Sequence, residues 1–357
     1  MQKFTVKEIS EDMKNSSRIF YYDLLNITAS FCVVAMHCNG IVHYYSDSMA
    51  WKQALMVEVL AYWAVPIFFM ISGATLMNYR SKYSTYVFIK KRVLKTLIPF
   101  CIWSMIACFY KCITGVIDIG SLSVNEFLSM FLTSKFENIY WFFLPLFAVY
   151  MCIPVLTCLI EKSEKYLWYM FGAGIITISI LPFLCKVFSV EFNSALSFPL
   201  TGGYIIFVIE GYLLSKVEFS KRTRLVIYVL GIIGILARYG GTLYLSQRYN
   251  EINRIFWGYL NWPSVALATA VFVFFKYNNW DSLKRNEKMY NVIVQIASAS
   301  FGIYLTHIFV LHMLSDFCGI NTNVWQWRTI GVLIVYVVSL LIVKVLQRIP
   351  IIKIIIP

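Results

Sequence analysis

Charged residues are scarce in this chain of 357 residues: only 14% are Asp, Glu, Lys or Arg, whereas 59% are hydrophobic. A typical soluble domain is about a quarter charged and about half apolar. One water-facing core cannot bury so much apolar surface, so the composition excludes an ordinary soluble protein. The net charge of +13 is scattered along the chain. It therefore argues against a nucleic-acid-binding surface and favours basic loops on the cytoplasmic side of a membrane.

The chain also lacks the spacings that build disulfide frameworks and metal sites. None of its nine cysteines forms a C-x-x-C pair, and most lie inside apolar runs. They are expected to be small buried hydrophobic residues. Of only four histidines, His307 and His312 are five residues apart. This separation is about 140° around a helix, so the two rings cannot face one metal ion. We expect no metal cofactor.

Long apolar runs dominate what the chain does contain. A membrane span needs about 20 apolar residues. Ten runs separated by polar connectors approach that length, over residues 19–40, 53–77, 96–115, 140–160, 167–185, 198–215, 225–245, 256–276, 292–315 and 329–347. The sequence thus predicts an all-α polytopic integral membrane protein with about ten transmembrane helices. Residues 19–347 would form the membrane domain, with cytoplasmic segments over 1–18 and 348–357.

Basic residues predict the orientation of these spans. Most of the 31 Lys and Arg residues lie in alternate connectors, counted from the N-terminal segment, so both termini are predicted to be cytoplasmic. With Asp23 near the inner face, fourteen residues of helix place His37 about 21 Å higher. That depth is the outer half of a core about 30 Å thick. His37 could there accept a proton from a substrate hydroxyl. The alternative is a histidine hydrogen-bonded between helices for packing.

Several stretches together resemble one known family. They are D-L-L-N-x10-H from Asp23, PIFFMISGATLM (66–77), FIKKRVLKTLIPF (88–100), IYWFFLPLFAVY (139–150), EGYLLSK (210–216) and SFGIYLTH (300–307). In this order they resemble the membrane-bound acyltransferase-3 family over nearly the whole chain. The family usually has Arg or Lys eleven positions before the histidine, where this chain has Asn26. Asn26 is uncharged, which changes how the site would meet an anionic donor.

The resemblance implies an O-acyltransferase of the bacterial cytoplasmic membrane. Such an enzyme transfers an acyl group, commonly acetyl from acetyl-CoA, to a hydroxyl of a cell-surface or secreted polysaccharide. It implies His37 as the catalytic residue, with Asn26 at the position of the family's basic residue. An acceptor glycan or glycolipid and membrane lipid are the expected partners, no nucleic acid is expected, and homo-oligomer formation is left open.

The basic stretch after residue 88 is the predicted donor site. Lys91, Arg92 and Lys95 would lie on the cytoplasmic side, where acyl-CoA presents its phosphates. Arg92 and Lys95 are three residues apart and should share a helix face. The alternative is contact with anionic lipid. Ser72 could hydrogen-bond the thioester, although a small residue also allows close helix packing.

Further polar and aromatic residues are candidates for acceptor contact. Tyr140 and Trp141 begin an outer-facing span and could stack on a sugar ring or belong to the interfacial aromatic belt. His307 lies deep enough in its span to face the bundle interior. Arg238 could contact an acidic sugar, but we expect it to snorkel to the outer surface. Glu210 is expected to be solvated near the inner interface.

Two alternative functions remain open at this point. A many-helix protein with sparse intramembrane charge could transport a small polar solute, although no internal repeat supports that reading. Asn26 also keeps open a non-catalytic family member that acts as a biosynthetic partner.

Overall fold

The computed structural model describes residues 18–118, 120–350 and 352–357, and this part of the chain contains helices and no strand. All but the last residue of the predicted cytoplasmic segment 1–18 lies outside the described residues. The α-helices are α1 (Phe20–His37), α2 (Met49–Ala61), α3 (Ala64–Leu76), α4 (Thr85–Arg92), α5 (Ile98–Ile113), α6 (Val124–Leu132), α7 (Phe143–Lys162), α8 (Lys165–Gly174), α9 (Leu181–Val187), α10 (Ile205–Lys216), α11 (Lys221–Tyr249), α12 (Trp262–Tyr277), α13 (Asp281–Arg285), α14 (Glu287–His312) and α15 (Val332–Leu346).

Short 3₁₀ and π-helical segments extend or join these helices. The 3₁₀ turns are Gly40–His43, Tyr79–Ser81, Asn138–Phe142, Ser194–Leu196, Pro199–Thr201 and Ile352–Ile354. The π-helical segments are Val93–Leu97, Ile175–Ile180, Met313–Phe317 and Trp327–Gly331. Several α-helices therefore continue into one another as longer rods.

Seven helical segments in the described ranges are long and apolar enough to cross a membrane. They are Met49–Ser81, Thr85–Ile113, Asn138–Lys162, Lys165–Val187, Lys221–Tyr249, Glu287–Phe317 and Trp327–Leu346. The prediction of an all-helical, multi-pass membrane protein is thereby confirmed. The count of ten spans and the position of the termini stay predictions.

Three of the ten predicted spans correspond to shorter helices. α1 has 18 residues, α12 has 16 and α10 only 12. In the run that contains α10, Pro199 starts a 3₁₀ turn, and Gly203 adopts a positive φ of 59°. Both features interrupt an α-helix, so helix α10 begins only at Ile205.

Helix α1 lies at the centre of the bundle, where α2, α3, α12, α14 and α15 pack against it. Beside it, α3 and α10 approach through glycines. A Cβ built on Gly73 would lie 1.9 Å from the carbonyl oxygen of Val208, and one on Gly211 would lie 2.0 Å from that of Met70. Only residues without a side chain allow backbones this close. This packing fixes α3, which carries Ser72, against the rest of the bundle.

Two charged side chains in the predicted spans are buried, although the sequence predicted that both would be exposed. Arg238 is 1% exposed rather than snorkelling, and its Nη1 donates to Ser264 Oγ at 2.8 Å. It follows Gly231 and Gly234 at helical spacing, and that face of α11 packs closely on α12, so the side chain points inward. Glu210 is also 1% exposed rather than solvated, and it accepts a hydrogen bond from Thr269 Oγ1 on α12.

The last residues of the chain pack against the helical bundle. Trp103 Nε1 donates to the Ile355 carbonyl at 3.0 Å, and Ile356 is fully buried. A Cβ on Gly302 would lie 2.8 Å from Ile356 Cγ2, so the absence of a side chain there makes room for this segment. Residues 352–357 therefore turn back and pack between α5 and α14.

Candidate active site

His37 and His307 form a direct pair between the two central helices α1 and α14. His37 Nδ1 lies 2.7 Å from His307 Nε2, and the rings are stacked at 16° with centroids 4.9 Å apart. His307 is fully buried, whereas His37 remains partly exposed. The pair forms because α1 and α14 pack side by side and bring together residues 270 positions apart in sequence.

Hydrogen bonding fixes the tautomer of both rings. His307 Nδ1 lies 3.0 Å from the Ile303 carbonyl oxygen, which can only accept, so Nδ1 carries the proton. In the neutral ring, His307 Nε2 is then the acceptor for the Nδ1 proton of His37. This leaves the lone pair on His37 Nε2 free. A neutral pair also suits a site largely removed from water, where an uncompensated charge is costly.

A cavity of about 320 Å³ opens beside His37. Six residues proposed from the sequence line it: Asn26, His37, Ser72, Arg92, Lys95 and Trp141. Most of the other lining residues are apolar or aromatic. The cavity therefore combines a free imidazole nitrogen, a basic region and an apolar wall.

The basic region of the cavity lies beside Tyr150, within α7. The guanidinium carbon of Arg92 is 5.3 Å from the ring centre of Tyr150, and both residues line the cavity. Trp141 precedes α7 and is nine residues from Tyr150, which is about 13 Å of helix. The cavity thus extends from a cationic end at Arg92 to an aromatic end at Trp141.

Arg92 and Lys95 reach the cavity through a π-helical segment. Pro99 follows within the first turn of α5 and has no N–H to bond the Lys95 carbonyl. The chain therefore adopts the wider π turn over Val93–Leu97. This turn changes the directions in which Arg92 and Lys95 point relative to one another. Lys91 does not line the cavity; its Nζ lies 3.8 Å from the ring centre of Tyr83.

Asn26 lies between this cavity and a second one. Its Nδ2 donates to the Ala297 carbonyl at 3.3 Å, which ties α1 to α14. Asn26 and Ile71 line both the cavity beside His37 (the reaction cavity) and a larger cavity of about 660 Å³. The second cavity also has four cationic lining residues: Arg18, Lys82, Lys216 and Lys276. Arg18 bonds Asp23 at 2.6 Å and Lys276 bonds Glu218 at 3.1 Å, so two of the four are already ion-paired.

The model of the acyltransferase domain of the acyltransferase-3 family matches residues 19–344. The chain belongs to the acyltransferase-3 family. The resemblance drawn from the six stretches is thereby confirmed, and the protein is a multi-pass membrane acyltransferase. It has no significant match among curated proteins or among solved structures.

In this acyltransferase, Trp141 and Tyr140 point to different places. Trp141 lines the cavity, whereas Tyr140 is fully buried and donates its hydroxyl proton to the Leu305 carbonyl at 2.8 Å. Both lie in the 3₁₀ turn Asn138–Phe142, where neighbouring side chains diverge by about 120°. Tyr140 cannot stack on a sugar from this position. It instead holds the turn of α14 that carries His307.

Other cavity residues of the acyltransferase were not among the sequence candidates. Tyr304 lines the cavity and donates its hydroxyl proton to the Ile139 carbonyl, and Ser300 lines it one helical turn earlier. Both belong to SFGIYLTH, so the motif offered a signal that could have found them. Tyr259 lies in the connector between α11 and α12, where no motif or periodicity indicates it.

Ser72 lies at the cavity wall, but its hydroxyl proton is already used. Its Oγ donates to the Phe68 carbonyl at 2.8 Å, so the oxygen can only accept from a ligand and, in this geometry, has no proton for a thioester carbonyl. It lines the cavity next to Gly73, which makes the close approach to Val208. Within the described residues, no group of three or more His, Cys, Asp or Glu side chains could hold a metal ion.

Proposed function

We propose that this acyltransferase moves an acyl group, acetyl in the simplest case, from cytoplasmic acyl-CoA to a hydroxyl of a cell-surface or extracellular glycan. The protein would lie in a bacterial cytoplasmic membrane. The observation that carries the proposal is the His37–His307 pair, which opens on a cavity that also contacts Arg92 and Lys95.

His37 is the general base in this proposal. Its Nε2 takes the proton of the acceptor hydroxyl while the hydroxyl oxygen attacks the thioester carbonyl carbon. The C–S bond then breaks, the new ester forms, and the thiolate takes the proton back from the imidazolium as free CoA leaves. His307 accepts the Nδ1 proton of His37 in a hydrogen bond throughout, which orients the ring and stabilises its charged form.

The basic residues are proposed to hold the phosphates of the donor. Arg92 and Lys95 are suited to phosphate oxygens, and the second cavity adds cations on the other side of Asn26. Asn26 and His37 are eleven residues apart, about 16 Å along α1. A donor anchored by its phosphates at this end would extend its thiol arm along α1 towards His37.

The aromatic end of the cavity is proposed to receive the acceptor. Trp141 and Tyr259 line the cavity together with His37. Aromatic surfaces with a few polar groups are the usual walls of small-molecule sites. A glycan or glycolipid would place its hydroxyl next to His37 from this end.

Transfer from labelled acetyl-CoA tests the proposal. Purified protein in lipid vesicles should label a glycan acceptor, and His37→Ala should lower the rate by about 100-fold or more. His312→Ala is the matched control, because this partly exposed histidine pairs with Asp316 at 3.2 Å. Unchanged transfer in His37→Ala would refute the assigned base. Solute uptake into the vesicles without any acyl transfer would instead support a transporter.

A further inference from the structure

Four planar groups stack in a row from the protein interior to the reaction cavity. The guanidinium carbon of Arg238 lies 3.2 Å from the ring centre of Tyr62. Tyr62 stacks on Tyr259 with centroids 4.0 Å apart at 12°, and Tyr259 stacks on Trp141 at 5.7 Å and 24°. Tyr259 and Trp141 line the same cavity as His37. Arg238 itself does not line this cavity.

The guanidinium of Arg238 stacks on an aromatic ring and forms no ion pair with an acid among the described residues. The side chain is 1% exposed, and Nη1 donates to Ser264, but Nε and Nη2 have no partner among the described residues. Glu58 is the buried acid nearby in the same bundle region, and it forms no ion pair with Arg238 within 4 Å in the described structure. Cation–π attraction is strongest when both groups are shielded from water. The ring of Tyr62 is therefore held by the cation.

The three aromatic residues lie outside regular α-helix. Tyr62 is at the break between α2 and α3, Tyr259 is in the connector before α12, and Trp141 is in the 3₁₀ turn before α7. No α-helical hydrogen-bond ladder links these three segments to one another. The stack links them, because it joins the three side chains to one another and to Arg238 on the long helix α11.

The stack belongs to the acceptor end of the cavity rather than to the donor end. Trp141 lies about 13 Å of helix away from Tyr150, the residue next to Arg92. A substitution that moves Tyr259 or Trp141 should therefore weaken the binding of a sugar beside His37. It should leave the binding of the donor phosphates unchanged.

We propose that Arg238 is a positioning residue for the acceptor. Through Tyr62 it sets the angle and depth of the Tyr259–Trp141 wall, on which the apolar face of a sugar ring rests while its hydroxyl meets His37. This inference rests on the proposed function and adds the acceptor-binding wall and the buried cation that supports it.

Separate Michaelis constants for donor and acceptor test this role. Arg238→Met should raise the acceptor KM by about ten-fold. The donor KM and the slow hydrolysis of acyl-CoA by water should not change, because both depend on the other end of the cavity. Arg238→Lys, which keeps a cation near Tyr62, should recover part of the loss. Arg248→Met is the control, since Arg248 is exposed near the end of the same helix.

A second pair of variants guards against loss of folding. Tyr62→Leu should raise the acceptor KM as Arg238→Met does, and the double variant should be no worse than either alone, because both break the same link. Tyr62→Phe keeps the ring and should match the wild type. If Arg238→Met unfolds the protein because Glu58 is left buried without a cation, Glu58→Gln in the same chain removes that charge.

The outcomes separate the inference from the proposed function. Unchanged acceptor KM in a folded Tyr62→Leu variant overturns the positioning role alone. An equal fall in transfer and donor hydrolysis shows general structural support and also overturns it. Absence of glycan labelling by the wild-type protein refutes the proposed function, and the positioning role with it.

Discussion

His307 presents an unprotonated Nε2 to His37 because its own Nδ1 is bonded to the Ile303 carbonyl one turn earlier in α14. The backbone of one helix thus determines which nitrogen of a ring on another helix is free to take a proton.

Substitution of His307 should show whether this residue orients the ring of His37 or only fills space between the helices. His307→Gln retains a side-chain oxygen that can accept the Nδ1 proton of His37, so we expect about a ten-fold loss of kcat. His307→Leu leaves that proton without an acceptor and should cost about 100-fold. Steady-state transfer from acetyl-CoA measures both variants. Equal, near-normal rates would show that His307 does not orient the base.

Asn26 should be replaceable by a basic residue with a gain in donor binding. Asn26→Lys places a cation where both cavities meet, so the donor KM should fall several-fold and become more dependent on ionic strength. Asn26→Leu is the uncharged control and also loses the bond to Ala297. A donor KM that rises equally in both variants would mean that the amide serves helix packing alone.

Substitution of Arg92 or Lys95 should raise the KM of the donor and leave the KM of the acceptor unchanged. Neutral Gln at either position removes a charged hydrogen-bond donor from the cavity, so the donor KM should rise by about ten-fold. Lys91→Gln provides a neighbouring control, because Lys91 lies over Tyr83 outside the cavity. Initial rates at varied acetyl-CoA concentration report the effect. A similar rise in Lys91→Gln would indicate a general surface-charge effect instead.

Gly73 should tolerate no side chain. In Gly73→Ala the new Cβ would lie 1.9 Å from a backbone oxygen, and backbone cannot rotate away as a side chain can. We expect a loss of about 3 kcal/mol in the free energy of unfolding. Gly240→Ala, which meets nothing within 4 Å in α11, is the control and should not destabilise the protein. Thermal unfolding in detergent compares the two, and equal midpoints would contradict the close α3–α10 packing.

Sequence alone located the parts of the site that lie within recognisable stretches. Asn26 and His37 were found on one predicted helix, and the fourteen residues from Asp23 to His37 predicted the depth of the histidine. Arg92, Lys95 and Ser72 were also found in this way, although their catalytic or binding roles stay predictions. The all-helical membrane architecture followed from the long apolar runs, since few other structures satisfy backbone groups in lipid.

Other residues depend on packing that a linear pattern does not contain. Arg238 was expected at the surface because its depth alone suggested snorkelling, but the glycine face of α11 turned it inward. Tyr140 and Trp141 are adjacent, and only the phase of a 3₁₀ turn decides which one reaches the cavity. Lys82, Lys216 and Lys276 lie at or next to the ends of three separate helical segments, so each is indistinguishable in sequence from an ordinary charge at the end of a span.

The depth of the reaction cavity bears on how well the membrane stays sealed. If the cavity admits solvent from Asn26 to His37, about 16 Å of a barrier of about 30 Å is hollow. The remaining electrical insulation then rests on the side chains that separate the cavity from the opposite membrane surface. Smaller side chains there would let protons leak across vesicles that hold the protein, a loss to the cell's energy supply that is separate from any change in chemistry.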